Sequence, residues 1–303
     1  MSSHRIVIAG AGLVGLTGCN RLDSLPHPQG LTPQQLLDSH PHMQVPWGDG
    51  SWILMEPSSS VLIFFLASMT CMMGMQLLRQ QQAQRSRFWW GLSLLLWGMG
   101  ALLAGVSYQA FAYEIKAAGR EVVAWTSWWE IFYLLFSTAS INAMMIGVAH
   151  SSCGVAGRRR LSVYAALNML VYSLLCLTGA FLPNRFLVSF ELMVLVTMPG
   201  YLVFFLINAA AWRRTQSLLE LRLMLTWLWL ALVMAAYFAY LAAGLTEALW
   251  RRGRWFSAND VLHAALILWM LWIRCKVLPL LKDHPSVAEP YSAGRMLKNG
   301  LGQ

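Results

Sequence analysis

The chain has 303 residues, 57% hydrophobic and only 12% charged, with fifteen Trp and seventeen Met. Soluble domains carry about twice that share of charge, which argues against a water-soluble protein and for a lipid-embedded one. The net charge of +9 does not signal nucleic acid, because the basic residues fall in short clusters between apolar runs, as the positive-inside rule expects.

Arg5 and the apolar run from Ile6 predict a signal peptide over 1–18, ending in Leu16-Thr17-Gly18-Cys19. That ending looks like a bacterial lipobox, with Cys19 as the lipidated residue; an uncleaved anchor or a misassigned start are the alternatives. The run is too short to span a bilayer. Gly10-Ala11-Gly12-Leu13-Val14-Gly15 matches G-x-G-x-x-G, but a dinucleotide site needs a helix, a second strand and a later acid. Pro26, Pro28, Gly30 and Pro33 follow instead, so no nucleotide is expected. Residues 19–57, rich in Pro and Gly, predict a mostly irregular extracytoplasmic segment, in which His27, His40 and His42 read as solvated loop residues. The other cysteines (Cys71, Cys153, Cys176 and Cys275) form no CxxC pair and no metal spacing.

Apolar runs at 58–78, 88–112, 124–149, 161–182, 187–211, 221–249 and 259–281 each have the length of a membrane-spanning helix. The fold class is therefore an all-α bundle of seven transmembrane helices over 58–281, with a polar tail over 282–303. Arg79, Arg85, Arg87, Arg158, Arg159, Arg160, Arg213, Arg214, Arg222, Arg274, Lys276, Lys282, Arg295 and Lys298 fall on one side. Lys116, Arg120, Arg185, Arg251, Arg252 and Arg254 fall on the other, with Arg5 and Arg21 before the first helix. This asymmetry predicts the N-terminus outside and the C-terminus in the cytoplasm of a multi-pass cell-membrane protein; with the lipobox it suggests a bacterial inner membrane.

On that topology Glu114, Glu130, Glu191, Glu247 and Asp260 all lie in the outer half. Ser107, Tyr108 and Gln109 close the second helix, and Asn259, Asp260 and His263 open the seventh, where Asp260 and His263 share a face. These residues, with Glu130 and Glu191, form the candidate ligand cavity, because ionisable groups at membrane depth point at a partner or a wet cavity. Glu130 is expected to pair with His263. Each residue also has a plainer reading. Ser257 and Asp260 fit a helix N-cap and its N3 acid. Glu114 and Glu247 fit solvated ends, Glu191 a partner for Arg185, and Trp125, Trp128 and Trp129 an interfacial belt. Ser137, Ser140 and Asn142 fit interhelical hydrogen bonding, and Pro199-Gly200 a kink.

Gly105-Val106-Ser107-Tyr108-Gln109, Phe111-Ala112-Tyr113-Glu114, an acid in the third helix and Asn259-Asp260-Val261-Leu262-His263 together resemble the CREST superfamily. That superfamily holds the alkaline ceramidases, the progestin/adiponectin-type receptors and related bacterial proteins. The resemblance implies a seven-helix bundle and, in its hydrolase members, zinc on three His. Here His263 matches one of those ligands. Asn259 replaces another, and Gln109 or Phe111 stands where the second-helix His would be. A zinc site would then need Glu130 and Asp260, which are also the candidate catalytic carboxylates. Three functions compete. The first is a non-catalytic receptor or sensory module binding a lipid or small ligand. The second is a metal-assisted hydrolase of a lipid amide or ester. The third is an accessory subunit with a membrane-protein partner.

Overall fold

The computed structural model describes residues 21–48 and 50–284. The expected signal peptide, Cys19 and the tail from 285 lie outside the described residues. Among the described residues seven helices are long and apolar enough to cross a membrane: α2 (Pro57–Arg79), α3 (Arg85–Ala104), α5 (Trp128–Ser152), α6 (Val155–Phe181), α7 (Phe190–Thr215), α8 (Leu218–Ala242) and α10 (Ala258–Trp272). α3 runs on through a π-helical turn, Gly105–Ala110, and α10 through another, Ile273–Val277. Three short helices complete the set: α1 (Pro33–Ser39), α4 (Ala112–Lys116) and α9 (Leu245–Trp250).

The bundle is built around α5, of which 61% of the apolar window is buried, against 17% for α6 and 22% for α8. The two peripheral helices leave Leu167, Leu170, Leu174, Leu228 and Leu232 exposed, as acyl-chain contact requires. α2 and α3 approach closely because glycine lines their seam. A Cβ on Gly98 would lie 2.5 Å from Cys71 Sγ and 2.9 Å from the Ala67 carbonyl oxygen. Small residues permit such contact between helices in lipid, where no hydrophobic effect drives association. Trp90, Phe204, Trp227 and Trp269 fill the main core, with Phe204 and Trp227 centroids 4.9 Å apart.

Several boundaries differ from the sequence expectation. Arg158, Arg159 and Arg160 lie inside α6, because Gly154 starts that helix two residues after α5 ends. The sixth run stops at Ala242; Gly244, at φ +61°, turns the chain into α9. The largest difference is the lead-in, which is ordered rather than irregular. Thr32 and Gln35 close a capping box on α1, with Pro33 in its first turn. Strands β1 (His42–Trp47) and β2 (Gly50–Met55) form an antiparallel hairpin, pairing Val45 with Trp52 and Met43 with Leu54. Residues 25–31 run beside 123–125, through His27 N–H to the Val123 carbonyl and Trp125 N–H to the Leu25 carbonyl, both 2.8 Å. Leu22 and Leu25 are buried against Ile131, Leu134 and Leu192. The lead-in is thus a lid on one end of the bundle, called here the hairpin end.

Candidate functional site

At the hairpin end the starts of α2, α5 and α10 meet the end of α3. The π-helical turn Gly105–Ala110 adds a residue to the last turn of α3, a departure often found at functional sites. It brings the Ser107 hydroxyl to 2.8 Å from Glu130 Oε1 and 2.9 Å from Ser127 Oγ. Glu130 sits in the first turn of α5, at the positive end of its dipole. Its charge is met by Lys116, whose Nζ donates to Oε1 at 2.7 Å from the last residue of α4. The two side chains are 2% and 13% exposed, so this is a buried ion pair, with the Lys116 ammonium also 4.9 Å from the Tyr108 ring centroid. The expected pairing of Glu130 with His263 is therefore overturned. α4 folds back over the end of α3 and delivers Lys116, which the sequence reading had only counted among the basic residues of that side.

Asp260 is fully buried and serves two helices. Its Oδ2 accepts from Ser257 N–H at 2.5 Å and from the Ser58 hydroxyl at 3.2 Å. Its Oδ1 accepts from the Ser59 hydroxyl at 3.1 Å, and the Ser257 hydroxyl accepts from Asp260 N–H at 3.4 Å. The capping-box reading of Asp260 thus holds. The structure adds the first turn of α2, so two helix N-termini converge on one carboxylate.

Glu56 is the residue that sequence reasoning missed. It precedes Pro57 and caps α2 in a left-handed conformation, φ 42° and ψ 64°, while its N–H donates to the Pro41 carbonyl at 2.8 Å. Its carboxyl reaches Asn259 and Ser59 and lies near Asp260. Its Oε2 is shut off from solvent without a hydrogen-bond partner. Burial pushes this carboxyl up to about 7; the Asp260 charge adds to the rise, and the bonds from Asn259 and Ser59 oppose it. A Glu immediately before Pro-Ser-Ser-Ser is the one signal that pointed to it.

The remaining predicted residues divide. Gln109 and His263 are buried, and Gln109 Oε1 and His263 Nδ1 have no partner. Both lie on elements packed against α2. Asn259 is half-buried. Tyr108 is 38% exposed and packs edge-on against Tyr133 at 5.8 Å. Glu191, in the first turn of α7, is exposed. Glu114 accepts from Ile53 N–H at 3.1 Å and ties the hairpin down, with Trp52 stacked on Phe111 at 4.7 Å.

Zinc does not fit these residues. Among the described residues no three His, Cys, Asp or Glu are grouped to hold a metal ion. Asp260 is committed to hydroxyl and N–H donors and Glu130 to Lys116, which leaves His263 alone. A second buried polar network lies at the far end of the bundle. Asn208 donates to Glu220 Oε2 at 2.7 Å and to Ser152 Oγ at 3.0 Å, and accepts from Trp227 Nε1 at 2.8 Å. Its donors and acceptors answer one another, and it joins α5, α7 and α8. A scan against family models, a search of curated proteins and a search of solved structures give no match for this chain.

Proposed function

We propose that the protein is a multi-pass membrane protein that binds a small or lipid ligand at the hairpin end without catalysing its conversion, as a CREST-like receptor or sensory module would. One observation carries this reading: Glu56 Oε2, Gln109 Oε1 and His263 Nδ1 are buried without partners, on α2 or on elements packed against it. Buried polar atoms are almost always satisfied, and those that are not call for a water, an ion or a ligand. Gln109 Oε1 only accepts. The matching ligand group is a donor, such as a hydroxyl or an ammonium. Lys116 is already engaged by Glu130 and Asp260 lies beside Glu56, so a donor fits this end of the bundle better than an anion.

The arginine asymmetry of the sequence puts the hairpin end outside, so the ligand would come from the outer leaflet or the space beyond it. A hydrolase reading gains nothing from these residues, since among the described residues no metal-ligand group supports it and both candidate carboxylates are occupied. Mass spectrometry of what co-purifies with the detergent-solubilised protein tests the proposal. Wild type should retain a stoichiometric molecule that the double variant Gln109→Leu, His263→Leu releases. Equal retention by both, or no retained molecule in either, would overturn it.

A further inference from the structure

The opposite end of α2 holds a second candidate site, independent of the first. A groove of about 320 Å³ runs along the helix, lined by Met72, Met75, Gln76, Arg79 and Gln80. Met72 and Met75 are 59% and 41% exposed on a helix of spanning length, so this part of the groove is apolar and faces acyl chains. Methionine packs adaptably against such chains.

The rim is cationic. Arg79 is exposed in the last turn of α2. Arg274, on the π-helical turn that ends α10, donates from Nη1 to Gln76 Oε1 at 3.1 Å. Arg87, in the first turn of α3, donates to the Gln80 carbonyl at 3.2 Å and the Leu281 carbonyl at 3.0 Å. Three elements thus bring guanidinium groups to one corner. Among the described residues none of the three forms an ion pair. The neighbouring acid, Asp283, is occupied by the N–H groups of Arg85 and Ser86 at 3.0 and 2.7 Å. A guanidinium carries five donors, and Arg274 spends one of them on Gln76.

We propose that this corner binds an anionic phospholipid, with its phosphate on Arg79 and Arg274 and an acyl chain along Met72 and Met75. Guanidinium forks match phosphate oxygens bidentately, and basic residues at a membrane surface attract anionic lipid. Cations in a last helical turn also offset the macrodipole, which by itself requires no lipid. The apolar groove continuous with the cations is what commits the site to a lipid rather than to free phosphate.

The test titrates phosphatidylglycerol, phosphatidylcholine and inorganic phosphate into detergent-solubilised protein and reads thermal unfolding. Wild type should be stabilised by phosphatidylglycerol well beyond phosphatidylcholine, and not by inorganic phosphate. Arg79→Gln with Arg274→Gln should weaken the apparent phosphatidylglycerol affinity on the order of tenfold. Arg159→Gln with Arg160→Gln removes the same charge from exposed positions on α6 and should leave that affinity unchanged. Equal effects of the two lipids, equal losses in the two double variants, or full reproduction by inorganic phosphate would each overturn the site. Should the Arg79, Arg274 variant fail to fold, native mass spectrometry of wild type in an equimolar lipid mixture decides. Preferential retention of phosphatidylglycerol supports the site, and equal retention of both lipids refutes it.

Discussion

Two acids at the hairpin end are stabilised in different ways, and the difference is testable residue by residue. Glu130 has an ion-pair partner, Lys116, 2.7 Å away. Removing one partner of a buried pair leaves an uncompensated charge, so Lys116→Met should lower stability by about 3 kcal/mol. Glu130→Gln in that background should recover most of the loss, whereas the same change in wild type should not stabilise. Thermal unfolding of the four proteins in a double-mutant cycle measures the coupling. Among the described residues Glu56 forms no ion pair, and the more distant Lys116 charge only partly opposes its rise. Its carboxyl is raised from 4.5 to about 7, so the folded state holds a proton that the unfolded state releases between those values. Stability is therefore undiminished below pH 4.5, falls as pH rises to about 7, and stays reduced above it. Glu56→Gln should match wild type at pH 4.5 and exceed it at pH 8 by on the order of 2–3 kcal/mol. Unfolding curves that shift equally at both pH values would exclude a raised Glu56. The sequence pointed to Glu130, Asp260 and His263 as buried polar groups because they lie within a turn of an apolar run. It missed Glu56 and misassigned the partner of Glu130. The neighbours of both come from elements that no periodicity brings together.

Among the elements, those set by local rules were legible and those set by contact were not. Apolar runs of spanning length can only be helices in a bilayer, which is why all seven were visible. Ser257 and Asp260 marked the start of α10 because a capping box is a local motif. The β1–β2 hairpin was hidden by Pro46 and by turn residues that read equally well as irregular chain. It is held by Glu114 and Phe111, which lie outside it. The α2–α3 seam likewise emerges only in three dimensions. Gly98→Ala places a methyl group against backbone and Cys71 Sγ and should cost about 1–3 kcal/mol through forced separation of the helices. Gly154→Ala, with nothing within 4 Å of its Cβ position, should be close to neutral by the same unfolding assay.

For the whole molecule, topology is the property on which both site proposals depend. Reporter fusions after Gly119 should behave as exported, and fusions after Gln216 and Lys282 as cytoplasmic. The reverse pattern would place the hairpin end, with Glu56 and Gln109, in the cytoplasm.

α10 and the segment just after it also tie the two ends of the first helical hairpin. Asp260 holds Ser58 and Ser59 at the start of α2, and Asp283 accepts from Arg85 and Ser86 at the start of α3, contacts separated by about 200 positions along the chain. During synthesis, α2 and α3 enter the membrane long before either aspartate exists. Until the ribosome delivers α10 and the segment to Asp283, two helix starts lack these acceptors. Completion of the last helix is then the event that locks the first two, so truncation before Ala258 should shorten the cellular lifetime of residues far upstream of the cut.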